Sequence, residues 1–231
     1  MSSSQSQPGV GAAAGLSHLP LRERKVARLR LGVLDAVLAL TAERPLGDVS
    51  VREICEVVDI SQGTFFNHFP TKDAVLVYYM RLWSLRAAVR ARAVAHQSGW
   101  AALHAIFTFT AEEIEAHPSL MFEIITLVAQ ATAPPPPMPL TRAERLLAVP
   151  EVAGARNLEP ESIDQLLQTA LAAAIEQGEL ATATDRLLAT RLLKGLFYGL
   201  PLATRAEGVG AIRPAYDAGL EIVRSALEIT G

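Results

Sequence analysis

The sequence DISQGTFFNHFPTKDAV occupies residues 59–75 and places two phenylalanines, Phe65 and Phe66, side by side. Ser61 is a candidate N-cap for a short helix over the pair, and Pro70 ends that helix. Consecutive helical residues point about 100° apart, so a short surface helix buries one of the rings more easily than both. With Phe65 toward the core, Phe69 lies about 40° away at i+4, whereas Phe66 falls on another arc. The pattern predicts a buried Phe65 and an exposed Phe66.

A second short helix precedes this one. Ser50 followed by Glu53 forms a capping box that opens a helix over VREICEVV, which ends near Asp59. Two short capped helices joined by a tight turn form a helix-turn-helix, whose second helix enters the DNA major groove. The exposed arc of that helix carries Gln62, Gly63 and Asn67. Amides can read base edges or hold phosphates, and glycine permits close backbone approach, so the arc predicts a DNA-reading surface.

Apolar residues recur at three and four positions along most of the chain, and strand signals are weak, so we predict an all-α protein. The residues 1–20 carry no charge and read as a disordered tail. The proline-rich segment 133–140 cannot continue a helix and is expected to form an exposed loop. Helices are predicted over 21–43, 51–58, 61–69, 72–96, 99–116, 119–131, 142–149, 160–177, 184–205 and 213–229.

Charge is unevenly distributed along the chain. The net charge is −3, but residues 21–96 hold 12 Lys/Arg and 8 Asp/Glu, whereas residues 97–231 hold 9 and 16. The basic excess is concentrated in LRERKVARLR, residues 21–30. One basic end and one acidic end suggest that the first part contacts a polyanion, although a solvated helix start explains the basic run equally well.

These residues resemble the TetR family of bacterial transcriptional regulators, from Arg30 to about Leu76, through RLGVLDAV, VSVREICEVVDIS and GTFFNHFPTKDAVL. The resemblance implies a three-helix operator-binding domain over 21–76 and a C-terminal helical-bundle domain over 77–231 for ligand binding and dimerisation, in which 77–96 is a connecting helix. It implies that Gln62, Gly63 and Thr64 approach bases, that Phe66, Asn67, His68 and Lys72 lie along the DNA backbone or groove edge, and that Arg52 reaches a base.

Two positions depart from the family pattern. Phe66 stands where the family usually has tyrosine, so the hydroxyl that would bond a phosphate is absent. Asp59 replaces the usual turn glycine; aspartate tolerates the left-handed conformation better than most residues but brings negative charge near DNA. These departures bear on base preference and leave the resemblance intact.

An effector cavity and a dimer interface are also expected. The family architecture implies a homodimeric repressor that binds a palindromic double-stranded DNA operator and is released by a small molecule. The interface is predicted on LLQTALAAAIEQG and LLATRLLKGLFYGL, residues 166–178 and 187–200. The acidic balance of residues 97–231 favours a largely apolar, neutral or cationic effector. The predicted ligand-binding residues are Trp100, His104, Phe107, Met121, Phe122, Ile125, Phe197 and Tyr198.

Several other functions find little support in the sequence. Cys55 is the single cysteine, and Glu113 with His117 lacks a nearby third ligand, so we expect no metal site and no cofactor. We expect no membrane span and a cytoplasmic protein. A ligand-independent regulator governed by a protein partner is an alternative interpretation. A helical lipid-binding protein or an enzyme is another, but convergent catalytic groups are not found, and we predict that the chain is not an enzyme.

Overall fold

The computed structural model describes residues 16–133, 136, 138–152 and 154–228. Within these ranges the regular structure is helical and no strand occurs, so the predicted all-α class is confirmed. The predicted tail over 1–20 and loop over 133–140 lie partly outside the described residues. The helices are α1 Leu21–Thr41, α2 Val51–Val58, α3 Gln62–His68, α4 Ala74–Ala95, α5 Gly99–Ala116, α6 Pro118–Gln130, α7 Arg142–Ala148, α8 Ile163–Glu176, α9 Arg186–Ala203 and α10 Ile212–Glu228.

The chain divides into two compact units. The first contains the described residues up to Arg86 together with Ala131–Pro160, and the second contains Ala87–Gln130 with the described residues from Glu161 onward. Helices α1, α2, α3 and α7 belong to the first unit, and α4 begins in the first and ends in the second. The predicted functional boundary between residues 76 and 77 stays a prediction.

Local capping rules account for the two short helices of the first unit. The Ser50 hydroxyl accepts the Glu53 N–H at 3.2 Å, and the Glu53 carboxylate accepts the Ser50 N–H at 2.8 Å. Asp59 ends α2 in the left-handed conformation, with φ 56° and ψ 52°. Ser61 then caps α3 by accepting the Thr64 N–H at 3.0 Å. The turn that aligns α2 and α3 is therefore specified by residues within twelve positions of one another.

In the second unit, α5 approaches α8 at the level of the backbone. A Cβ atom placed on Gly99 would lie 2.0 Å from the backbone nitrogen of Ala174, closer than any side chain permits. The Gly99 N–H donates to the Gln177 side chain at 2.7 Å, and the Trp100 N–H donates to Glu179 at 2.9 Å. Glycine at the start of α5 is thus required by helix packing.

The interior of the second unit contains a cluster of three aromatic rings. Phe107 contacts Phe197 and Tyr216 edge to face, with ring centroids 5.6 and 4.9 Å apart. Pro201 lies inside α9 and has no N–H to offer the carbonyl of Phe197, four residues earlier. The buried hydroxyl of Tyr216 donates to that carbonyl at 2.7 Å. Helix α10 therefore supplies the hydrogen bond that proline removes from α9.

Candidate nucleic-acid interface

Phe65 and Phe66 point to opposite environments. Phe65 is fully buried and contacts Phe69, which is also fully buried, with ring centroids 5.6 Å apart. Phe66 is 45% exposed, and its ring stands at 87° to that of Phe65 with centroids 5.4 Å apart. The expected burial of the first ring and exposure of the second are confirmed. Phe65 therefore anchors α3 in the core of the first unit, and Phe66 exposes an aromatic ring on another side of the same helix.

The same side of α3 carries the polar groups expected of a reading surface. Gln62, Gly63 and Asn67 are exposed, together with Phe66. The nearest heavy atom to a Cβ placed on Gly63 is the Ser61 hydroxyl at 3.7 Å, an ordinary contact. The fold would therefore accept a side chain at residue 63, and packing within the chain does not explain the glycine. Thr64 is half-buried and its hydroxyl lies 2.9 Å from that of Ser61.

Arg52 and Glu56 form an exposed pair on α2. The Arg52 Nε lies 2.8 Å from the Glu56 carboxylate, and the two side chains are 77% and 61% exposed. Such a pair at i, i+4 contributes a few tenths of a kcal/mol and exchanges readily with other partners. Arg52 is thus accessible in the structure, held loosely by a residue of its own helix.

His68 lies at the end of α3 beside a groove of about 340 Å³. Burial lowers the pKa of His68, and the nearby positive charge of Arg30 lowers it further, partly opposed by Glu144. The lowered pKa disfavours the charged form of the imidazole, and the ring nitrogens can still form hydrogen bonds. The groove is lined by Leu21, Arg22, Lys25, Val26, Leu29 and His68.

Arg22 and Lys25 line this groove, although the sequence alone did not single out either residue as a DNA contact. Both are exposed on α1, and they bring positive charge to the edge of α3. The basic run at residues 21–30 was the available signal, but it did not separate these two side chains from Arg30, which is buried. The exposed cations of the groove differ from the buried cation Arg30 only in how the helix packs, which the run of basic residues does not reveal.

Lys72 is fixed by three backbone carbonyls. Its ammonium donates to Leu46 O at 2.6 Å, Val49 O at 2.9 Å and Gly47 O at 3.2 Å. These carbonyls belong to the turn between α1 and α2, so Lys72 ties the start of α4 to that turn. Because all three bonds go to neutral acceptors, the full positive charge stays at this edge of the unit.

The other residues singled out by sequence have plain local roles in the structure. Cys55 is buried, and burial raises the pKa of its thiol, so it packs as an inert thiol. Asp59 adopts the left-handed conformation that the sequence led us to expect for it. Within the described ranges, no three His, Cys, Asp or Glu side chains converge on one point. None of the described helices is long and apolar enough to cross a membrane.

The predicted ligand-binding residues all lie in the second unit, where most are packed. Trp100, Phe107, Met121, Ile125 and Phe197 are at most 7% exposed. The Phe122 ring lies under the Arg205 guanidinium, 4.6 Å from its centre. His104 faces Asp217 and Glu221 at 3.7 and 3.6 Å, and burial raises the pKa of Tyr198 to about 12. Of the predicted ligand-binding residues, Phe107 and Phe197 are in direct ring contact in the core of the second unit.

Comparison with known proteins supports the architecture of the first unit. Residues 33–79 match the family described as bacterial regulatory proteins, tetR family. The HTH-type transcriptional regulator EthR of Mycobacterium tuberculosis is 38% identical over 71 residues, which are 29% of this chain and 32% of that protein. The chain thus matches about a third of the length of this curated relative.

Solved structures are similar over nearly the whole chain. One, described as the molecular basis for control of antibiotic production by bacterial hormones, has a TM-score of 0.58 at 19% identity and covers 87% of this chain and 97% of that chain. The fatty acid degradation regulator FadR from Bacillus halodurans has a TM-score of 0.55 at 17% identity, covering 82% and 96%. At these identities the likeness shows the shared fold.

The capped helix pair and its exposed arc form a helix-turn-helix, a motif that is typical of DNA-binding proteins. Residues 33–79 form a domain that matches the model of the tetR family of bacterial regulatory proteins.

Proposed function

We propose that the chain is a homodimeric transcriptional repressor that binds a palindromic operator through α3 and is released by a small, largely apolar effector. The exposed arc of α3 carries this proposal, since Gln62, Gly63, Phe66 and Asn67 face outward while Phe65 anchors the helix. Gln62 and Asn67 offer amides for base edges or phosphates, and Phe66 can pack on a thymine methyl or a sugar. We also propose that Arg52 and Thr64 approach bases and that His68 and Lys72 contact the DNA backbone.

The DNA experiment uses the full chain and the fragment upstream of its own gene. Fluorescence anisotropy should show tighter binding to that fragment than to a scrambled fragment of equal length. Gln62→Ala should change base preference with little effect on non-specific binding, because an amide that reads base edges carries sequence information. The matched control is Ala39→Gln, at an exposed position of α1. Equal affinity of the unaltered chain for both fragments, under all salt conditions, would contradict operator binding.

The dimer proposal is supported by an apolar stripe on α9. Leu188, Leu192 and Leu202 are 53%, 48% and 47% exposed. Gly195 and Gly199 lie between Leu192 and Leu202, so the five residues follow one another at spacings of four, three, four and three. A Cβ placed on either glycine would meet no described atom within 4 Å. Large apolar side chains exposed at heptad spacing are typical of helix–helix association, and a palindromic operator calls for a two-fold dimer.

Sedimentation equilibrium at micromolar concentration tests this assembly. The unaltered chain should sediment as a dimer, and Leu192→Glu should sediment as a monomer because it places charge in the apolar stripe. Leu187→Glu is the control, since residue 187 is also exposed but points about 100° away from Leu188 on the same helix. A monomeric unaltered chain would rule out the proposed dimer.

The effector proposal is supported by an unsatisfied donor in the second unit. The indole N–H of Trp100 is buried and has no hydrogen-bond acceptor among the described residues. An apolar ligand with one polar acceptor would satisfy it. Arg191 is exposed and Lys194 pairs with Asp164 at 2.9 Å, so neither adds a cation to the interior. Arg205 and Arg224 lie over the Phe122 and Trp100 rings, and the carboxylates of Asp217 and Glu221 lie beside His104. The acidic pair supports a neutral or cationic apolar effector among Trp100, His104, Phe107, Met121, Phe122, Ile125, Phe197 and Tyr198.

Thermal shift measurements against lipophilic cations, neutral hydrophobes and acyl thioesters test the effector class. A binding compound should raise the melting temperature and weaken DNA binding in parallel, because a ligand shifts affinity only by preferring one arrangement of the protein. His104→Ala should reduce both the rise in melting temperature and the loss of DNA affinity that the compound causes. Stabilisation by the anionic thioesters alone would contradict the charge argument, and no response to any class would favour control by a protein partner.

A further inference from the structure

We propose that the α7 segment, Ala131–Pro160, is a working part of the DNA-reading unit, and that Glu144, acting through Arg30, positions the recognition helix α3. The proposal rests on the proposed function, since α3 is taken as the helix that reads DNA. The α7 segment lies between α6 and α8 in the sequence, and its chain neighbours Gln130 and Glu161 belong to the second unit. The segment itself belongs to the first.

Helix α7 is seated on α1 by apolar contacts and by a carboxylate. Ala27 of α1 and Ala143 of α7 are fully buried in one cluster with Leu19, against which the half-buried Leu146 and Leu147 pack. Glu23 of α1 accepts the Ala143 N–H at 3.2 Å and a hydrogen bond from Arg142 at 3.1 Å. A carboxylate at the start of a helix satisfies free N–H groups and complements the helix dipole. The position of α7 on α1 is therefore specific.

The centre of this contact is a buried ion pair. Arg30 and Glu144 approach to 3.1 Å, and their side chains are 9% and 0% exposed. Arg30 also donates to the Pro139 carbonyl at 3.3 Å. Glu144 accepts the Thr141 N–H at 2.6 Å, which caps α7. The carboxylate thus joins the start of α7 to α1, and either charge would be left uncompensated without the other.

Arg30 connects this pair to the recognition helix. Its guanidinium carbon lies 4.3 Å from the centre of the Tyr78 ring and 5.6 Å from the centre of the Phe69 ring. Phe69 is the C-cap residue of α3, and its N–H donates to Phe65 O at 2.8 Å. Phe69 also contacts Tyr78 edge to face at 5.6 Å. Contacts therefore run from Glu144 through Arg30 to the end of α3.

Loss of the Glu144 charge should disturb α3 without removing any DNA contact. Arg30 would then be a buried cation that faces only neutral acceptors, and it could regain water only by leaving the two rings. Phe69 would lose the cation that packs on it, and the end of α3 would be held less firmly. Both ends of the α7 segment continue in sequence into residues of the second unit.

The test is Glu144→Gln in the full chain, which keeps the shape of the side chain and removes its charge. We expect about tenfold weaker binding to the upstream DNA fragment, with the dependence of affinity on salt unchanged because no phosphate contact is lost. Amide hydrogen exchange at residues 62–69 should become faster. Glu159→Gln is the control, since Glu159 is a 75% exposed carboxylate of the same segment that pairs with Arg145.

A folded Glu144→Gln protein with unaltered DNA affinity and unaltered exchange at residues 62–69 would overturn the proposal. If that variant does not fold, Arg142→Gln weakens the exposed edge of the same contact, where the Arg142 side chain is 51% exposed. It should speed exchange in α7 and at residues 62–69 together, and faster exchange in α7 alone would overturn the proposal. If the unaltered chain binds no operator, the proposed function fails while the exchange experiment still decides this inference.

Discussion

The ring of Phe66 stands perpendicular to the ring of Phe65, with centroids 5.4 Å apart, although the first is 45% exposed and the second is fully buried. An edge-to-face contact of this kind stabilises both rings by about 0.5–1.5 kcal/mol beyond the area they bury. The exposed ring is therefore held in place by the core ring beside it. The proposed DNA-binding surface is directly adjacent to the hydrophobic core, because Phe66 contacts Phe65.

Truncation of the two rings should separate folding from DNA binding. Phe65→Ala should lower the free energy of unfolding by about 3–5 kcal/mol, because it empties a fully buried site. Phe66→Ala should cost about 1 kcal/mol or less and still weaken DNA binding, while Phe66→Tyr should bind DNA at least as well as the unaltered chain. Urea unfolding and anisotropy measure the two effects. Undiminished DNA affinity in Phe66→Ala would show that the ring does not face DNA.

Lys72→Ala should affect both stability and DNA binding. Loss of three bonds from one ammonium to the turn at residues 46–49 should lower the unfolding free energy by about 2 kcal/mol. If Lys72 also contacts a phosphate, as we propose, the slope of log affinity against log salt should fall by about one. Lys72→Arg, which keeps the charge, is the control. Weaker binding at an unchanged slope would show that Lys72 acts only through the turn.

The cap of α2 should make stability depend on acid pH. Hydrogen bonds from the Ser50 hydroxyl and the Ser50 N–H, joined by Arg44, lower the pKa of Glu53 from 4.5 to about 2. A carboxyl whose folded pKa is depressed stabilises the protein above pH 4.5, and this contribution is lost as pH falls toward 2. Glu53→Gln should therefore be less stable than the unaltered chain at pH 7, and the difference should shrink as pH falls and vanish below pH 2. Urea unfolding across this range measures the difference, and a constant difference would contradict the assignment.

Tyr216→Phe should destabilise the second unit by about 1–3 kcal/mol, since the buried carbonyl of Phe197 would lose its donor. The control is the same substitution combined with Pro201→Ala. Alanine restores a backbone N–H to residue 201, so the tyrosine hydroxyl becomes redundant. Thermal unfolding of the four proteins gives the coupling energy. An equal cost of Tyr216→Phe with proline and with alanine at residue 201 would refute this account of the helix.

The helix-turn-helix could be predicted from sequence because its determinants are local. Ser50, Glu53, Asp59 and Ser61 act on groups no more than four residues away, and the burial of Phe65 follows from helical periodicity. The predicted helix ends lie within three residues of those in the structure, because caps, glycines and prolines near each end are also local signals.

Long-range contacts escaped prediction. Arg30 belongs to a basic run that suggests solvent or DNA, yet it is buried against Glu144, 114 residues away. Its spacing of four from Val26 and three from Val33 on α1 was a usable signal of burial. Nothing local indicates that Ala131–Pro160 joins the first unit, or that Gly99 meets the backbone of Ala174. Such contacts depend on the packing of whole helices, which local rules do not encode.

The most direct test of the central claim, that the exposed arc of α3 binds DNA, is the affinity of Gly63→Glu for the upstream fragment. The protein has space at residue 63, and an acidic residue in the first turn suits the helix dipole, so this variant should fold with at least the original stability. A carboxylate facing phosphates and base edges should weaken binding by about 100-fold or more. Ala39→Glu, at an exposed position of α1, should bind like the unaltered chain. If folded Gly63→Glu bound the fragment with unaltered affinity, α3 would not be the DNA-reading helix.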